Sequence, residues 1–436
     1  MKNLLLGLFL LPGLVLAQSF PSSLSLRLQQ QVDSFRLANN LKGISVSIHH
    51  PGMGTWKGVS GISHPGTPIR SDMVFGIASN TKLFTAVLML KLAEKNIIRL
   101  SDSLHRFLPP FNNINPDITI RQLLNHTTGL DDVTSVPGYP DSILTNPNRI
   151  FTPAELMTWA GPPLFAPGTG WNYCNTNYLL AGMIAEAATG KPYGELLRDS
   201  ILTPLNMDST FLDVYDSILF PVAQPWQAGV NNHSIPRKSL NSAAWAAGAM
   251  YSTADEMVHW YRALMDGEVL GAAAFQEMTT FVGSGNYGMG IGETQIENRT
   301  VWQHGGTIWG GYNSSMMYDT ASGMVICVLL NQLPNPAKAY LLAGRILSEA
   351  VNFTTSLPEK KHSGNKLVLH PVPAGECITV ILPGSEIRQL FLYSPNGRLL
   401  KESADSRLSL NGLPAGLYVI RAFTDKGWHQ ERFVKE

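Results

Sequence analysis

Ser79-Asn80-Thr81-Lys82 opens an apolar run from Leu83 to Ala93 and decides how the chain is interpreted. The run predicts a helix, and a lysine three residues after the serine then lies on the same helix face, within side-chain reach. A serine is a weak nucleophile until a base takes its proton. Partial burial and the positive field at a helix N-terminus both lower the pKa of a lysine and so favour its basic form. The motif therefore supplies a nucleophile together with its base.

The S-x-x-K pattern is short, and Ser363-Gly364-Asn365-Lys366 repeats it in a polar stretch without helical periodicity, which we interpret as coincidence. Two motifs further along the chain accompany the first match: Tyr173-Cys174-Asn175, a Y-x-N, and His304-Gly305-Gly306, an H-x-G. In this order the three motifs resemble the superfamily of serine β-lactamases and penicillin-binding proteins. The variant is most similar to the branch that contains class C β-lactamases, DD-peptidases and D-aminopeptidases.

The resemblance covers most of the chain, from about residue 25 to about residue 355. Two stretches support it. Leu123 to Leu130, LLNHTTGL, is similar to the family's L-L-x-H-T-S-G-L turn, and Tyr173 to Gly182, YCNTNYLLAG, is similar to its Y-S-N-x-x-Y-x-L-L-G. The periodicities predict an α+β fold, because strands near the start and near residues 301–332 enclose a helical region at about 100–270. The expected architecture is a β-lactamase-like antiparallel sheet flanked by helices, with an inserted helical subdomain and a final helix from Ala337 to Val351.

The resemblance implies a role for each motif residue. Ser79 would attack a carbonyl and form an acyl-enzyme, while Lys82 takes or relays its proton. Tyr173 would pass a proton to the leaving group as a general base or acid. Two neighbouring cations would lower the pKa of its phenol. Asn175 would hold Lys82 and the substrate amide by hydrogen bonds.

The H-x-G motif is expected to complete the site. The backbone N–H groups of Ser79 and Thr307 would stabilise the oxyanion, and Gly305 and Gly306 would let the substrate approach the strand closely. β-Lactamases usually have a lysine and a hydroxyl residue where this chain has His304 and Gly305, and these residues hold the substrate's carboxylate. Strong carboxylate recognition is therefore not expected here, although a protonated His304 would restore part of it at low pH.

Composition limits the class of protein. Of 436 residues, 44 % are hydrophobic and 15 % are charged, with a formal net charge of zero. This balance suits a globular core, and the chain has no basic block of the kind that binds nucleic acid. It has no H-E-x-x-H run or comparable metal-binding spacing, so we expect neither a metal nor another cofactor. Three cysteines are too few for a disulfide scaffold, and Cys174 is interpreted as a small buried residue.

The two ends of the chain differ in composition from the middle. Residues 1–17 place Lys2 before an apolar stretch that ends at Ala17, which is typical of a signal peptide and predicts an exported, secreted or cell-surface protein. No later run is long enough for a transmembrane helix. The polar residues 356–366 predict a linker between a hydrolase domain at 18–355 and a small β-sandwich at 367–436. Asn411 to Tyr418 resembles the sorting domain of type IX secretion substrates, which would make the secretion machinery a partner.

These observations predict a serine hydrolase that works through an acyl-enzyme. The implied substrates are peptides or amides with D-amino acids, as for a DD-carboxypeptidase or a D-aminopeptidase, with cell-wall peptides among them. Small esters are the other implied class of substrate. Two alternatives stay open: a class C-type β-lactamase, and a catalytically silent protein that binds cell-wall peptides. The complete set of Ser79, Lys82, Tyr173 and Asn175 argues against a silent binder, which has no need of all four.

Overall fold

The computed structural model describes residues 20–146, 148–233, 237–308, 310–334, 336–356, 367–371, 374–394, 399–425 and 427–435. The chain divides into two compact units, with the boundary between Phe353 and Thr354. The predicted signal peptide, the second S-x-x-K match and all but the first residue of the predicted linker lie outside the described residues, so these assignments stay predictions.

The first unit is built around a seven-stranded sheet. Its strands, with the shorter ones nearby, are β1 (Gly43–His50), β2 (Gly54–His64), β3 (Thr67–Pro68), β4 (Phe75–Gly76), β5 (Phe211–Leu212), β6 (Trp226–Gln227), β7 (Val230–Asn231), β8 (Met250–Ser252), β9 (Gly292–Ile296), β10 (Arg299–Ile308), β11 (Tyr312–Asp319), β12 (Val325–Leu330) and β13 (Gln332–Leu333). The large sheet has the order β3-β2-β1-β12-β11-β10-β9, and its neighbours pair antiparallel. Because β9 pairs with β10 only as far as Gln303, the rest of β10 forms an open edge.

Helices cover both faces of this sheet. They are α1 (Ser22–Ala38), α2 (Thr81–Glu94), α3 (Ile120–Asn125), α4 (Tyr139–Thr145), α5 (Pro153–Met157), α6 (Asn175–Thr189), α7 (Tyr193–Leu197), α8 (Arg237–Gly248), α9 (Ala254–Met265), α10 (Ala272–Met278) and α11 (Ala339–Ser356). Successive side chains of β12 point to opposite faces of the sheet, and each face packs against its own buried cluster. Ile326 packs in a cluster with α1 and α11, whereas Cys327 packs in the larger cluster that contains α2, α6 and α9.

The predicted fold class is confirmed, with local corrections. The region at 100–270 is not purely helical, because it also contains β5 to β8. Strands of two or three residues carry too little periodicity to be recognised in a sequence. One of them, β8, pairs with β4 and β5 in a small sheet just before the nucleophile. The last helix is α11, which runs to Ser356 rather than ending at Val351.

The second unit consists of strands β14 (Val368–His370), β15 (Cys377–Ile381), β16 (Ile387–Tyr393), β17 (Leu399–Ser403), β18 (Arg407–Ser409), β19 (Gly416–Thr424) and β20 (Gly427–Lys435). They form two sheets, in the orders β14-β15-β18 and β17-β16-β19-β20. Ile378 and Leu408 from the first sheet share one buried cluster with Leu390, Ile420 and Phe433 from the second. This unit therefore has a core of its own, as a small β-sandwich requires.

Candidate active site

Ser79 lies in a short 3-10 turn, Ala78–Asn80, that leads directly into α2. The backbone of Ala78 has φ +50°, an unusual value for a residue with a side chain, and it turns the chain sharply before the serine. Ser314 of β11 fixes this turn, because its Oγ donates to the carbonyl of Ile77 at 2.7 Å and accepts from the amide of Asn80 at 2.8 Å. The turn that carries Ser79 is thus anchored to the central sheet.

Lys82 is fully buried and has three hydrogen-bond partners. Its Nζ lies 3.1 Å from Ser79 Oγ, 2.7 Å from Asn175 Oδ1 and 2.8 Å from the carbonyl oxygen of Ala247. Burial lowers the pKa of Lys82 to about 7, although Asp132 acts in the opposite direction. A neutral amine keeps two N–H donors for Asn175 and Ala247, and its lone pair can then accept the proton of Ser79. The geometry therefore suits Lys82 as the base.

The carbonyl that accepts from Lys82 lies in the last turn of α8, a helix that is kinked three residues before its end. Trp245 has φ 31° and ψ −121°, well outside helical values. At the kink, Thr85 Oγ1 donates to the carbonyl of Ala246 at 2.7 Å, one residue before the carbonyl that accepts from Lys82. The last carbonyls of a helix have no partner within it, and here two of them accept from side chains of α2. No sequence motif predicts this arrangement.

Asn175 begins α6, and its amide is oriented from behind. Its Nδ2 donates to Asp132 Oδ2 at 3.0 Å and to Thr134 Oγ1 at 2.9 Å, which directs Oδ1 towards Lys82. The backbone N–H of Asn175 also donates to Asp132, at 3.1 Å. Asp132 therefore positions the Y-x-N motif. Sequence reasoning missed it, although it follows the LLNHTTGL stretch closely.

Tyr173 lies beside both members of the S-x-x-K motif. Lys82 Nζ is 4.9 Å from the centre of its ring, and its hydroxyl lies near the Ser79 side chain. Burial raises the pKa of Tyr173 well above its usual value, and the nearby Ser79 side chain offsets only part of this. The predicted lowering of this pKa is therefore wrong, because desolvation disfavours the phenolate. A neutral Tyr173 can still donate its proton.

His304 does not carry the charge that was expected of it. Burial, and secondly the proximity of Lys82, lower the pKa of His304 to about 3. Its Nδ1 lies 2.7 Å from the carbonyl oxygen of Gly305 and must donate, while Nε2 accepts from the hydroxyl of Tyr287 at 2.8 Å. Both nitrogens of the neutral ring are thus satisfied. The expectation that a protonated His304 assists carboxylate binding at low pH is wrong, and Tyr287 is a site residue that the sequence did not reveal.

His126 has a structural role at the end of α3. It caps α3 with a left-handed backbone, φ 64°, and it is buried. Its Nδ1 accepts from the backbone N–H of Cys174 at 3.2 Å and from the amide of Asn177 at 2.9 Å, which holds the Y-x-N segment in place. Burial raises the pKa of Cys174 to about 12, so it stays a thiol and fits the interpretation as a buried apolar residue.

The register of β10 determines which backbone groups face the open edge. Glu293 of β9 lies opposite Trp302 of β10, but it donates its backbone N–H to Asn286, away from β10. The two residues therefore form a non-hydrogen-bonded pair, and the backbone N–H and C=O of Trp302 point to β11 instead. Two-residue alternation then places the Thr307 N–H and the Gly305 carbonyl on the open edge. A side chain on Gly306 would collide with Ser314 and the carbonyl of Ile77, which explains the glycine. The assignment of the Ser79 and Thr307 N–H groups as the oxyanion hole stays a prediction.

These groups meet at a cavity of about 400 Å³. Among the described residues that line it, none is Asp, Glu, Lys or Arg; they include Ser79, Trp171, Tyr173, Tyr287, Gln303, His304, Gly305, Gly306, Thr307, Asn313 and Tyr340. Lys82 lies beneath this surface. Over the part of the chain that the structure describes, no group of three His, Cys, Asp or Glu side chains is placed to hold a metal ion.

The fold is β-lactamase-like, and the serine and lysine of its S-x-x-K motif lie side by side at the start of α2. A sequence model of the Beta-lactamase family matches residues 28–350, and the chain belongs to that family. Among solved structures, a D-stereospecific amidohydrolase from Streptomyces sp. is 30 % identical, with a TM-score of 0.63 over 70 % of this chain and 94 % of that one. The D-amino acid amidase from Ochrobactrum anthropi SV3 is 27 % identical, with a TM-score of 0.68 over 76 % and 99 %.

The similar curated proteins include penicillin-binding proteins. The putative penicillin-binding protein PbpX of Bacillus subtilis is 27 % identical over 61 % of this chain, which spans 63 % of that protein. Penicillin-binding protein 4 of Amycolatopsis lactamdurans is 26 % identical over 70 % of this chain and 84 % of its own length. Within the described residues, no helix combines the length and apolar character that a membrane crossing requires.

Proposed function

We propose that this protein hydrolyses amide or ester bonds in substrates that contain D-amino acids, through an acyl-enzyme on Ser79. The observation that carries the proposal is the Lys82 amine, 3.1 Å from Ser79 Oγ and with a pKa of about 7, so that much of it is neutral near neutral pH. The resemblance to two D-specific amide hydrolases supports the choice of substrate.

The reaction follows from the positions of these groups. Neutral Lys82 accepts the Ser79 proton as Oγ attacks the carbonyl carbon, and the carbonyl oxygen becomes an oxyanion near the Thr307 N–H. The tetrahedral intermediate collapses and the bond to the amine or alcohol breaks. Tyr173 donates its proton to that leaving group and recovers one from Lys82. A water molecule then repeats the sequence on the ester and releases the acid.

The described residues that line the cavity at Ser79 include no permanently charged side chain, and this favours some substrates over others. A terminal carboxylate finds no arginine or lysine there, and His304 is neutral. Amides and short esters without a carboxylate next to the scissile bond are therefore favoured over D-Ala-D-Ala peptides and over β-lactams. A charged hydrogen bond to a carboxylate is worth on the order of 1.5–3 kcal/mol, so its loss costs about tenfold to a hundredfold in kcat/KM.

The test is one panel measured on one preparation: a D-alanine anilide and its L-enantiomer, a butyrate ester, a D-Ala-D-Ala peptide and nitrocefin. The expected order places the D-anilide and the ester first, with the L-anilide, the peptide and nitrocefin at least about tenfold lower. Nitrocefin in first place by a wide margin would support a class C-type β-lactamase instead. Binding of the peptide without turnover of any compound would support the silent binder.

We also propose that the protein is exported and that the second unit is a sorting domain read by a type IX secretion machinery. The signal-like composition of residues 1–17 and the resemblance at Asn411 to Tyr418 support this. A core that belongs to the second unit alone is consistent with a module that is separate from catalysis.

A further inference from the structure

A second cavity, of about 270 Å³, lies beyond the end of β10 that carries the H-x-G motif. The described residues that line it are mostly apolar, and its one permanently charged member is Arg237, the first residue of α8. Leu240, Tyr251, Ile308 and Tyr312 supply apolar and aromatic walls. An apolar pocket with a single well-placed charged group is a common form of a specific ligand site.

This pocket, which we call the Arg237 pocket, adjoins the nucleophile. Thr307 lines the catalytic cavity and the next residue, Ile308, lines the Arg237 pocket. Ile308 lies on the same sheet face as Gly306, and Gly306 abuts the carbonyl of Ile77. Because a strand rises about 3.4 Å per residue, Ile308 and Gly306 are about 7 Å apart. The ring of Tyr312 would lie 2.9 Å from a Cβ on Gly76, three residues before Ser79.

Arg237 is only partly neutralised. Its Nε lies 3.1 Å from Asp213 Oδ2, and the side chain of Asp213 is 2 % exposed, whereas that of Arg237 is 46 % exposed. Within the described residues, no other acceptor contacts the guanidinium, so its two terminal amino groups remain as donors. A planar pair of amino groups fits a carboxylate, which can accept from both. Among the described residues of the lining there is no Asp or Glu that would repel such a group.

We propose that the Arg237 pocket binds a carboxylate of the substrate, about two residues away from the scissile carbonyl, and that Arg237 selects acidic substrates over their neutral amides. The proposal rests on the proposed function, since it extends the substrate of the same site. The substrate then has an uncharged group next to the scissile bond, and its carboxylate lies about 7–10 Å further along β10.

The test uses peptide-amide substrates in pairs that differ only by Glu against Gln, placed one, two or three residues from the scissile bond on either side. At the position about two residues from the scissile bond, on one side of it, kcat/KM should be about tenfold higher for the Glu substrate than for the Gln substrate. Arg237→Gln should bring that ratio of kcat/KM values to about one. Lys238→Gln is the matched control, because it removes the same charge from the neighbouring exposed residue and should keep the ratio. No Glu preference at any position, or equal loss of it in Lys238→Gln, would overturn the proposal.

Two additions keep the result decisive. Arg237→Gln leaves a buried carboxylate at Asp213 and can reduce folding, so Arg237→Gln with Asp213→Asn is measured as well and should also give a ratio of about one. If no peptide is hydrolysed, the proposed function fails, but the pocket is still tested. The dissociation constants of the Glu and Gln peptides for Ser79→Ala should then differ about tenfold, and equal constants would overturn the assignment.

Discussion

Lys82 and His304 are two buried bases of the same site, and burial affects their function in opposite ways. It brings the pKa of Lys82 from 10.5 to about 7, where a base is useful near neutral pH, and it brings the pKa of His304 from 6.5 to about 3, where the ring does not titrate. Each keeps hydrogen bonds that its neutral form can make. β-Lactamases usually have a lysine at this position. His304 does not replace that cation even weakly, because its ring carries no charge.

The largest expected effect concerns the Lys82 side of this comparison. Lys82→Ala and Tyr173→Phe should each lower kcat/KM by several orders of magnitude, and the double variant should lose little more, because the two groups pass one proton. Steady-state kinetics of the three variants measures this. Lys95→Ala, just beyond the end of α2, serves as the exposed control and should match the wild type. Losses that add up fully in the double variant would mean that the two residues act independently.

An intermediate effect concerns pH. Since Lys82 must be neutral to accept a proton, kcat/KM should fall about tenfold per pH unit below about pH 7, as its lowered pKa is crossed. The profile of kcat/KM from pH 5 to pH 9 should show no second step from His304, whose pKa lies far below that range. His304→Gln should lower the rate but keep the midpoint. A midpoint that disappears in His304→Gln would assign the titration to the histidine.

The smallest expected effect concerns the second unit. A chain that ends at Ser356 keeps all of α11, including the buried Phe353, and should hydrolyse the best substrate within about twofold of the full chain, since the two units have separate cores. The same truncation should abolish appearance of the protein outside its native host. Loss of activity in a folded truncated chain would place the second unit in the catalytic machinery, and normal export would remove its role in sorting.

The sequence predicted the parts of the site that recur as side-chain motifs. Ser79, Lys82, Tyr173, Asn175 and His304 were identified from S-x-x-K, Y-x-N and H-x-G, and the structure brings them together around one cavity and the lysine beneath it. The α+β class followed from long strands such as β1, Gly43–His50, which lies among the strands predicted near the start of the chain.

The rest depends on contacts that no short pattern encodes. The carbonyl of Ala247 accepts from Lys82 in the last turn of the kinked helix α8, and a backbone group has no residue type to recognise. Tyr287 and Asp132 come from loops far from the motifs they support. The pKa values of Tyr173 and His304 were predicted wrongly because desolvation, the dominant cause, requires the packed structure.

The central claim is that Ser79 forms the acyl-enzyme, and covalent labelling tests it most directly. Incubation with a fluorophosphonate or a slow acylating inhibitor, followed by intact-mass and peptide mass spectrometry, should give one adduct, on the peptide that contains Ser79, and none in Ser79→Ala. An adduct on the peptide that contains Ser363, or an undiminished rate of hydrolysis in Ser79→Ala, would contradict the account.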